Sequence, residues 1–241
     1  GVDGSILRTL RPLNDAKASA FGTFFASDAG DVDRDGVTDI FISDLDATVG
    51  EDASTGIAYV FSGRTGLPIH VLPGLFPGEG FGLGRAVPDM NGDSYPDLLI
   101  GAFNNSKAAT GAGATYLYSG RSGALLRTFT ATTAGLNFGG DATGLGDVNG
   151  DALPDLISTA PGLSFIGADA GSAFVIEGTV LPCTSDISGN NRVGIRDFFR
   201  LKLNLGSTDP ELDLNGDGIA DLDDLLVLVR DWGRCPRGFP F

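Results

Sequence analysis

The stretch DVDRDGVTD, residues 31–39, places Asp31, Asp33, Asp35 and Asp39 at positions 1, 3, 5 and 9 of a nine-residue loop. Four like charges this close repel one another unless a cation is shared among them. Gly36 at position 6 permits a sharp turn, which lets the Val37 carbonyl face the same side. An all-oxygen donor set suits a hard cation taking six to eight ligands, calcium foremost; zinc and copper favour His or Cys, and magnesium keeps more of its water. For one such loop alone, a solvated acidic turn is the plainer reading.

The loop recurs. DMNGDSYPD (89–97) and DVNGDALPD (147–155) follow the first at an even interval of 58 residues. They supply Asp89, Asn91, Asp93 and Asp97 with the Tyr95 carbonyl, then Asp147, Asn149, Asp151 and Asp155 with the Leu153 carbonyl, as candidate ligands. A common frame returns around each copy: Phe-Gly ahead of it (Phe21-Gly22, Phe81-Gly82, Phe138-Gly139), an apolar run after it, then GIAYVFSG, GATYLYSG or GSAFVIEG. Two copies add a further short run, TGLPIHVL and SGALLRTF. Four short strands per repeat, bounded by Gly and Asp, predict a mainly β fold of propeller-type blades.

Phe-Gly, an Asp-x-Asp/Asn-x-Asp-x-x-x-Asp loop and an apolar strand ending near GAF (101–103) or TAP (159–161) together resemble the FG-GAP repeat of integrin-α β-propellers and of many bacterial secreted proteins. The resemblance runs over about residues 11–180. It implies blades whose calcium loops join the first two strands on one rim, with binding surfaces on propeller loops. The third copy reads STAP where the repeat expects Gly-Ala-Pro. Repeats are expected at about 11–72, 73–129 and 130–181, within a β region covering 1–181. DGSILRTL (3–10) matches the fourth-strand pieces, so Gly1–Leu10 is expected to be a blade strand able to complete the third blade. Propellers have four to eight blades. Three are therefore expected to be part of a larger ring, cut or processed from it, or to be completed at their open edges by another molecule.

Residues 182–241 differ in character. DLNGDGIADLDD sets Asp213, Asn215, Asp217, Asp221 and Asp224 at positions 1, 3, 5, 9 and 12, with Gly218 at the turn and the Ile219 carbonyl at 7, which is EF-hand spacing with Asp in place of the final Glu. Leu222, Leu225, Leu226 and Val229 follow at helical intervals. The preceding loop, DISGNNRVGIRD, keeps Asp186, Ser188, Asn190 and Asp197, with Asn191 at the turn and the Arg192 carbonyl at 7, but has Gly194 at position 9. It should bind more weakly than the other, or not at all. Ile195, Phe198, Phe199 and Lys202/Leu203 outline a companion helix, and Trp232 reads as a core residue. The pair resembles a type I dockerin, which implies docking onto a cohesin-like protein. Loop positions 10 and 11 hold Ile195-Arg196 and Leu222-Asp223 where dockerins carry small hydroxyl residues. A self-contained structural cap is the alternative.

Composition fits this two-part reading. Net charge is −15, and 16 of the 27 aspartates occupy candidate ligand positions. Much of the acidity is thus demand for metal, with about four to five calcium sites expected. Sixteen scattered Lys and Arg form no phosphate-binding stripe, so nucleic acid is not an expected partner. No apolar stretch reaches the ~20 residues of a membrane span. Calcium loops of this kind and a Cys183–Cys235 pair bracketing the small module point to an extracellular, secreted or cell-surface setting, with a disulfide or a reduced buried pair as alternatives.

Catalytic chemistry has little to work with. His70 is the sole histidine and is expected at a surface or rim position; four glutamates leave a glycosidase-type pair to Asp44, Asp46, Asp141 or Asp169. The sequence therefore predicts a non-enzymatic, calcium-stabilised protein for adhesion, recognition or surface assembly, tethered by its dockerin-like module. Two other readings stand beside it. One is a self-assembling fibre or coat with blades completed between chains. The other is a lectin contacting glycans through loops 45–56 and 104–113.

Overall fold

A computed structural model describes residues 3–13, 20–162, 170–179, 185–190 and 192–234. The chain divides into two compact units: Gly1–Pro88 with Tyr95–Gly178, and Thr179–Phe241 with Asp89–Ser94.

In the larger unit the short apolar runs form antiparallel strands. β1 (Ala26–Gly30), β2 (Asp39–Asp44), β3 (Ile57–Phe61) and β4 (Pro68–Pro73) make one sheet in chain order. β5 (Phe81–Val87), β6 (Asp97–Ala102), β7 (Ala114–Tyr118) and β8 (Leu125–Thr130) make a second, and β9 (Ala142–Gly146), β10 (Asp155–Ala160) and β11 (Ser172–Ile176) a third. Each sheet is a meander of the kind expected for an FG-GAP blade. β5 packs on β1, β2 and β3, while β9 packs on β5 and β6.

This stacking explains why the middle strands read as continuous apolar runs: both of their faces are covered. Along β3, Ala58 and Val60 enter a core shared with Phe81, Leu98 and Ile100, whereas Ile57, Tyr59 and Phe61 enter a second cluster with Phe21. The Phe of each Phe-Gly pair meets the central aromatic residue of its own third strand. Ring centroids are 5.4 Å apart for Phe21–Tyr59, 5.7 Å for Phe81–Tyr116 and 5.8 Å for Phe138–Phe174. Such tilted and edge-on aromatic pairs add to what burial alone contributes.

Two expectations are corrected here. Residues 3–13 form no strand; Arg8 donates to the Arg64 carbonyl, and Leu10 joins the cluster of Ile42, Tyr59 and Phe61. The segment is held on the first sheet by that hydrogen bond and by apolar packing of Leu10, with no strand pairing. His70 is half-buried rather than at a free rim, with its Nε2 2.5 Å from the Gly120 carbonyl at the start of the β7–β8 turn.

In the smaller unit, β12 (Arg192–Val193) pairs with β13 (Gly233–Arg234), and α1 (Ile195–Leu203) packs on α2 (Leu222–Arg230). Its core is Ile187, Val193, Leu201, Leu212, Ala220 and Leu228, with Trp232 packed against it as expected. The helix faces are a correction. Leu222, Leu226 and Val229 are exposed, as are Ile195, Phe199 and Leu203. The buried positions are Asp197 with Leu201, and Asp224 with Leu228. Each aspartate turns inward to accept loop N–H groups, and this fixes the rotation of the helix that carries it. Cys183 and Cys235, and with them the expected disulfide, lie outside the described residues, as do Asp169 and Asn191.

Candidate metal centres

The three nine-residue loops all occupy the turn between the first and second strand of a sheet: 31–39 between β1 and β2, 89–97 between β5 and β6, 147–155 between β9 and β10. Their backbones share an unusual feature. Positions 4 and 6 are left-handed in each: Arg34 and Gly36 (φ 57° and 85°), Gly92 and Ser94 (75° and 71°), Gly150 and Ala152 (86° and 67°). The 213–224 loop does the same at Gly216 and Gly218 (80° and 100°). Successive left-handed turns bring main-chain N–H groups round toward the position-1 carboxylate.

That carboxylate closes the loop. Asp31 accepts from Asp35 N and Gly36 N at 3.0 Å each; Asp147 accepts from Gly150 N at 2.6 Å and Ala152 N at 2.9 Å; Asp213 accepts from Gly216 N at 2.7 Å and Gly218 N at 2.8 Å. Asp89 gathers Gly92 N and Ser94 N at 2.6 Å each. The Gly150 and Ala152 N–H groups hold the Asp147 carboxyl below its usual range. Position 5 fixes position 7, since Val37, Leu153 and Ile219 each donate their N–H to Asp35, Asp151 or Asp217 at 2.8 to 3.1 Å.

Position 3 differs between loops with a visible consequence. Where it is Asn, its side-chain amide reaches the position-5 carboxylate: Asn91 to Asp93 at 3.3 Å, Asn149 to Asp151 at 3.1 Å, Asn215 to Asp217 at 3.0 Å. Where it is Asp33, no such donor exists, and Arg64 supplies one to Asp35 at 2.8 Å. Tyr95, at position 7 of its loop, lies beneath the guanidinium groups of Arg34 and Arg121, 4.6 and 5.2 Å from its ring centroid.

The position-9 aspartates are buried at the start of the second strand. Asp39 takes Val32 N at 2.8 Å on one oxygen and Gly63 N at 3.0 Å on the other; Asp155 takes Val148 N at 2.9 Å and Gly178 N at 2.7 Å; Asp97 takes Gly120 N at 3.2 Å. Burial raises the Asp39 pKa, with Asp33 and Asp31 adding repulsion, against the lowering effect of the two N–H donors. Gly63, Gly120 and Gly178 belong to the site although the loop pattern does not mark them. Their signal was the fixed Gly ending each third-strand run. A Cβ at these positions would stand 1.9, 1.9 and 2.2 Å from the carbonyl oxygens of Thr38, Pro96 and Pro154.

In the smaller unit Asp224 plays the part of the position-9 residue. It accepts from Leu214 N at 2.7 Å, Asn215 N at 3.0 Å and Asp221 N at 2.6 Å, and with Asp221 forms a reciprocal cap on α2. Asp197 accepts from Ser188 N and Gly194 N at 2.8 Å each, and Asp186 from Asn190 N at 3.0 Å and the Ser188 hydroxyl at 3.3 Å. Asn190 donates to the Ser188 hydroxyl at 2.7 Å, and Arg192 opens β12.

Carboxylate oxygens of Asp31, Asp33 and Asp39 lie within 4.8 Å of one another. The donors are all oxygen and one of them is buried, which fits a hard divalent cation rather than zinc or copper. In this arrangement the protein's own residues gather the charges, and the N–H contacts hold them in place. A bound cation would supply the neutralising charge.

Strand–loop–strand units with Phe-Gly at their head recur through the larger unit, and residues 81–118 match the family model described as the FG-GAP repeat. The chain is similar to integrin alpha-7 of Rattus norvegicus, 32% identical over 182 residues, or 72% of this chain and 15% of that protein. It is also similar to integrin alpha-5 of Xenopus laevis, 37% identical over 110 residues (42% of this chain, 9% of that protein), and to integrin alpha-IIb of Mus musculus, 39% identical over 95 residues (37% and 9%). The chain thus spans 9 to 15% of the length of these relatives. Among the described residues no helix is long and apolar enough to cross a membrane.

Proposed function

We propose that this chain is a non-catalytic, extracellular calcium-binding protein for adhesion or recognition of a protein partner. Its FG-GAP blades span 1–181 and form the recognition part; the dockerin-like module at 182–241 forms a tether or cap. The single observation that carries the reading is the convergence of Asp31, Asp33 and Asp39 in a loop whose backbone shape recurs at 89–97, 147–155 and 213–224. The similarity to integrin alpha chains supports an extracellular or cell-surface setting and a protein partner. Asp44 and Asp141, two of the carboxylates outside the loops, have structural partners in Ala20 N at 3.0 Å and Arg85 at 2.5 Å.

Calcium would hold the clustered carboxylates together and couple folding to metal binding. Calorimetric titration with calcium, paired with thermal melting in calcium and in chelator, tests this. Four to five sites and a large loss of melting temperature in chelator are expected. No heat of binding at millimolar calcium would overturn the reading.

A further inference from the structure

Asn-Gly occurs three times in the chain, at Asn91-Gly92, Asn149-Gly150 and Asn215-Gly216, and each time it fills positions 3 and 4 of an acidic loop. The other seven asparagines are all followed by residues with side chains. Glycine has no Cβ to shield its peptide nitrogen, so the nitrogen after these three asparagines is open to the side-chain amide carbon before it. Asn149, Gly150, Asn215 and Gly216 are exposed, and burial does not protect them.

Hydrogen bonds restrain the pair instead. The Gly N–H, which must lose its proton before the nitrogen can attack, is held by the position-1 carboxylate: Gly92 by Asp89 at 2.6 Å, Gly150 by Asp147 at 2.6 Å, Gly216 by Asp213 at 2.7 Å. An anion at that distance opposes loss of the proton, because a second negative charge would form beside the first. The asparagine side chain is tied at both polar atoms. Its Nδ2 reaches the position-5 carboxylate, and its Oδ1 accepts the position-5 N–H at 3.0 Å in Asn91, 2.9 Å in Asn149 and 2.8 Å in Asn215. The amide carbon is therefore not free to turn onto the glycine nitrogen while the loop is closed.

We propose that Asn91, Asn149 and Asn215 are self-modifying sites, shielded while their loops are closed and converted to aspartate and isoaspartate when the loops open. The Gly nitrogen bonds to the asparagine Cγ, and its proton leaves with the side-chain amino group as ammonia, giving a cyclic imide. Water then opens the imide at either carbonyl. Opening at one gives aspartate, whose fit is shown by Asp33 at position 3 of a loop with the same left-handed positions. Opening at the other gives isoaspartate, which inserts the side-chain methylene into the main chain and moves the later N–H groups off the position-1 carboxylate. Such a loop cannot close again. A cation that favours closed loops slows the conversion, so the three loops keep a one-way record of time spent empty. That last step rests on the calcium reading; shielding by the closed loop does not. Loop 31–39 has Asp33-Arg34 at these positions and no side-chain amide to lose.

Site-resolved peptide mass spectrometry of the 241-residue chain tests this, after incubation in mildly alkaline, heavy-oxygen water with calcium, with chelator, or unfolded in urea. Label should enter at residues 91, 149 and 215, as isoaspartate and aspartate together, while Asn104 and Asn137 stay unlabelled. Reaction proceeds from the open loop, so with loop affinities of ~10⁻⁴ to 10⁻³ M, calcium at about 10 mM should slow it about 10- to 100-fold against chelator. Urea should give the fastest reaction or match chelator. Reaction as fast in calcium as in urea overturns the shielding, and aspartate without isoaspartate overturns the imide route. Equal rates in calcium and chelator overturn the control by cation; calorimetry on the same sample then shows whether calcium binds and the calcium reading outlives that failure.

Discussion

The main-chain N–H of Gly63, at the end of the third strand of the first sheet, donates to Oδ1 of Asp39, the first residue of the second strand, at 3.0 Å. This clip ties the acidic loop to the sheet behind it, and Gly120–Asp97 and Gly178–Asp155 repeat it. Gly63→Ala would force a methyl group within 1.9 Å of the Thr38 carbonyl oxygen, so the strand must move away from Asp39. A loss of about 1–3 kcal/mol is expected, as for other steric insertions into packed sites. Urea unfolding checks it, and an unchanged midpoint would mean the clip carries no weight.

Asp33 gives a test with opposite signs under two conditions. Asp33→Ala removes one of the three clustered charges together with its ligand oxygens. In chelator the variant should melt at a higher temperature than the parent, because repulsion is relieved. In calcium the order should reverse, with affinity at that loop roughly tenfold or more weaker, since even residues that only support metal ligands cost ~10–100-fold when changed. A shift of the same sign in both conditions would exclude a cation there.

Ala152 holds φ 67° at a position where Gly36 and Gly218 stand in two sister loops. A left-handed backbone costs a residue with a Cβ ~1–2 kcal/mol, partly offset by the greater freedom glycine loses on folding. Ala152→Gly is therefore expected to stabilise the protein by up to ~1 kcal/mol, read as a raised urea midpoint. Destabilisation would place the strain elsewhere.

Protonation of His70 offers a pH test. Burial lowers its pKa from the ordinary 6.5, against the raising effects of the Gly120 carbonyl and the nearby Asp39 carboxylate. The unfolded chain then takes up a proton before the folded one. Stability is accordingly greatest above 6.5 and falls as the pH drops from there through the folded-state pKa, by at most ~1.4 kcal/mol per pH unit. Denaturant midpoints at several pH values for the parent and His70→Gln isolate this term, and equal slopes would refute it.

How far the sequence reveals the structure depends on which force sets each feature. The 58-residue interval, the loop positions and the Phe-Gly pairs are local patterns, and the sheets follow them. The faces of α1 and α2 escape a hydropathy reading because Asp197 and Asp224 point inward, held by N–H groups several residues upstream. Leu222 and Leu226 then lie on the outer side although they share the helical interval that marks a core face. Residues 3–10 carry a strand sequence without forming a strand, held instead by Arg8 on the Arg64 carbonyl and by Leu10 in the cluster of Ile42, Tyr59 and Phe61. His70 reads as a rim residue until the second sheet brings Gly120 against it.

The paired left-handed positions of the acidic loops have a practical consequence. The same seven-residue conformation leads into a strand at Asp39, Asp97 and Asp155, and into a helix at Leu222. Its form is set from within, by the first carboxylate and the two reversed peptides, so the element after it in the chain is free to vary. DLNGDGI (213–219) could be grafted in place of DVNGDAL (147–153) without redesigning the hairpin around it. A motif that dictates its own shape in this way is a portable part, able to pass between β-rich and helical hosts as a single cassette.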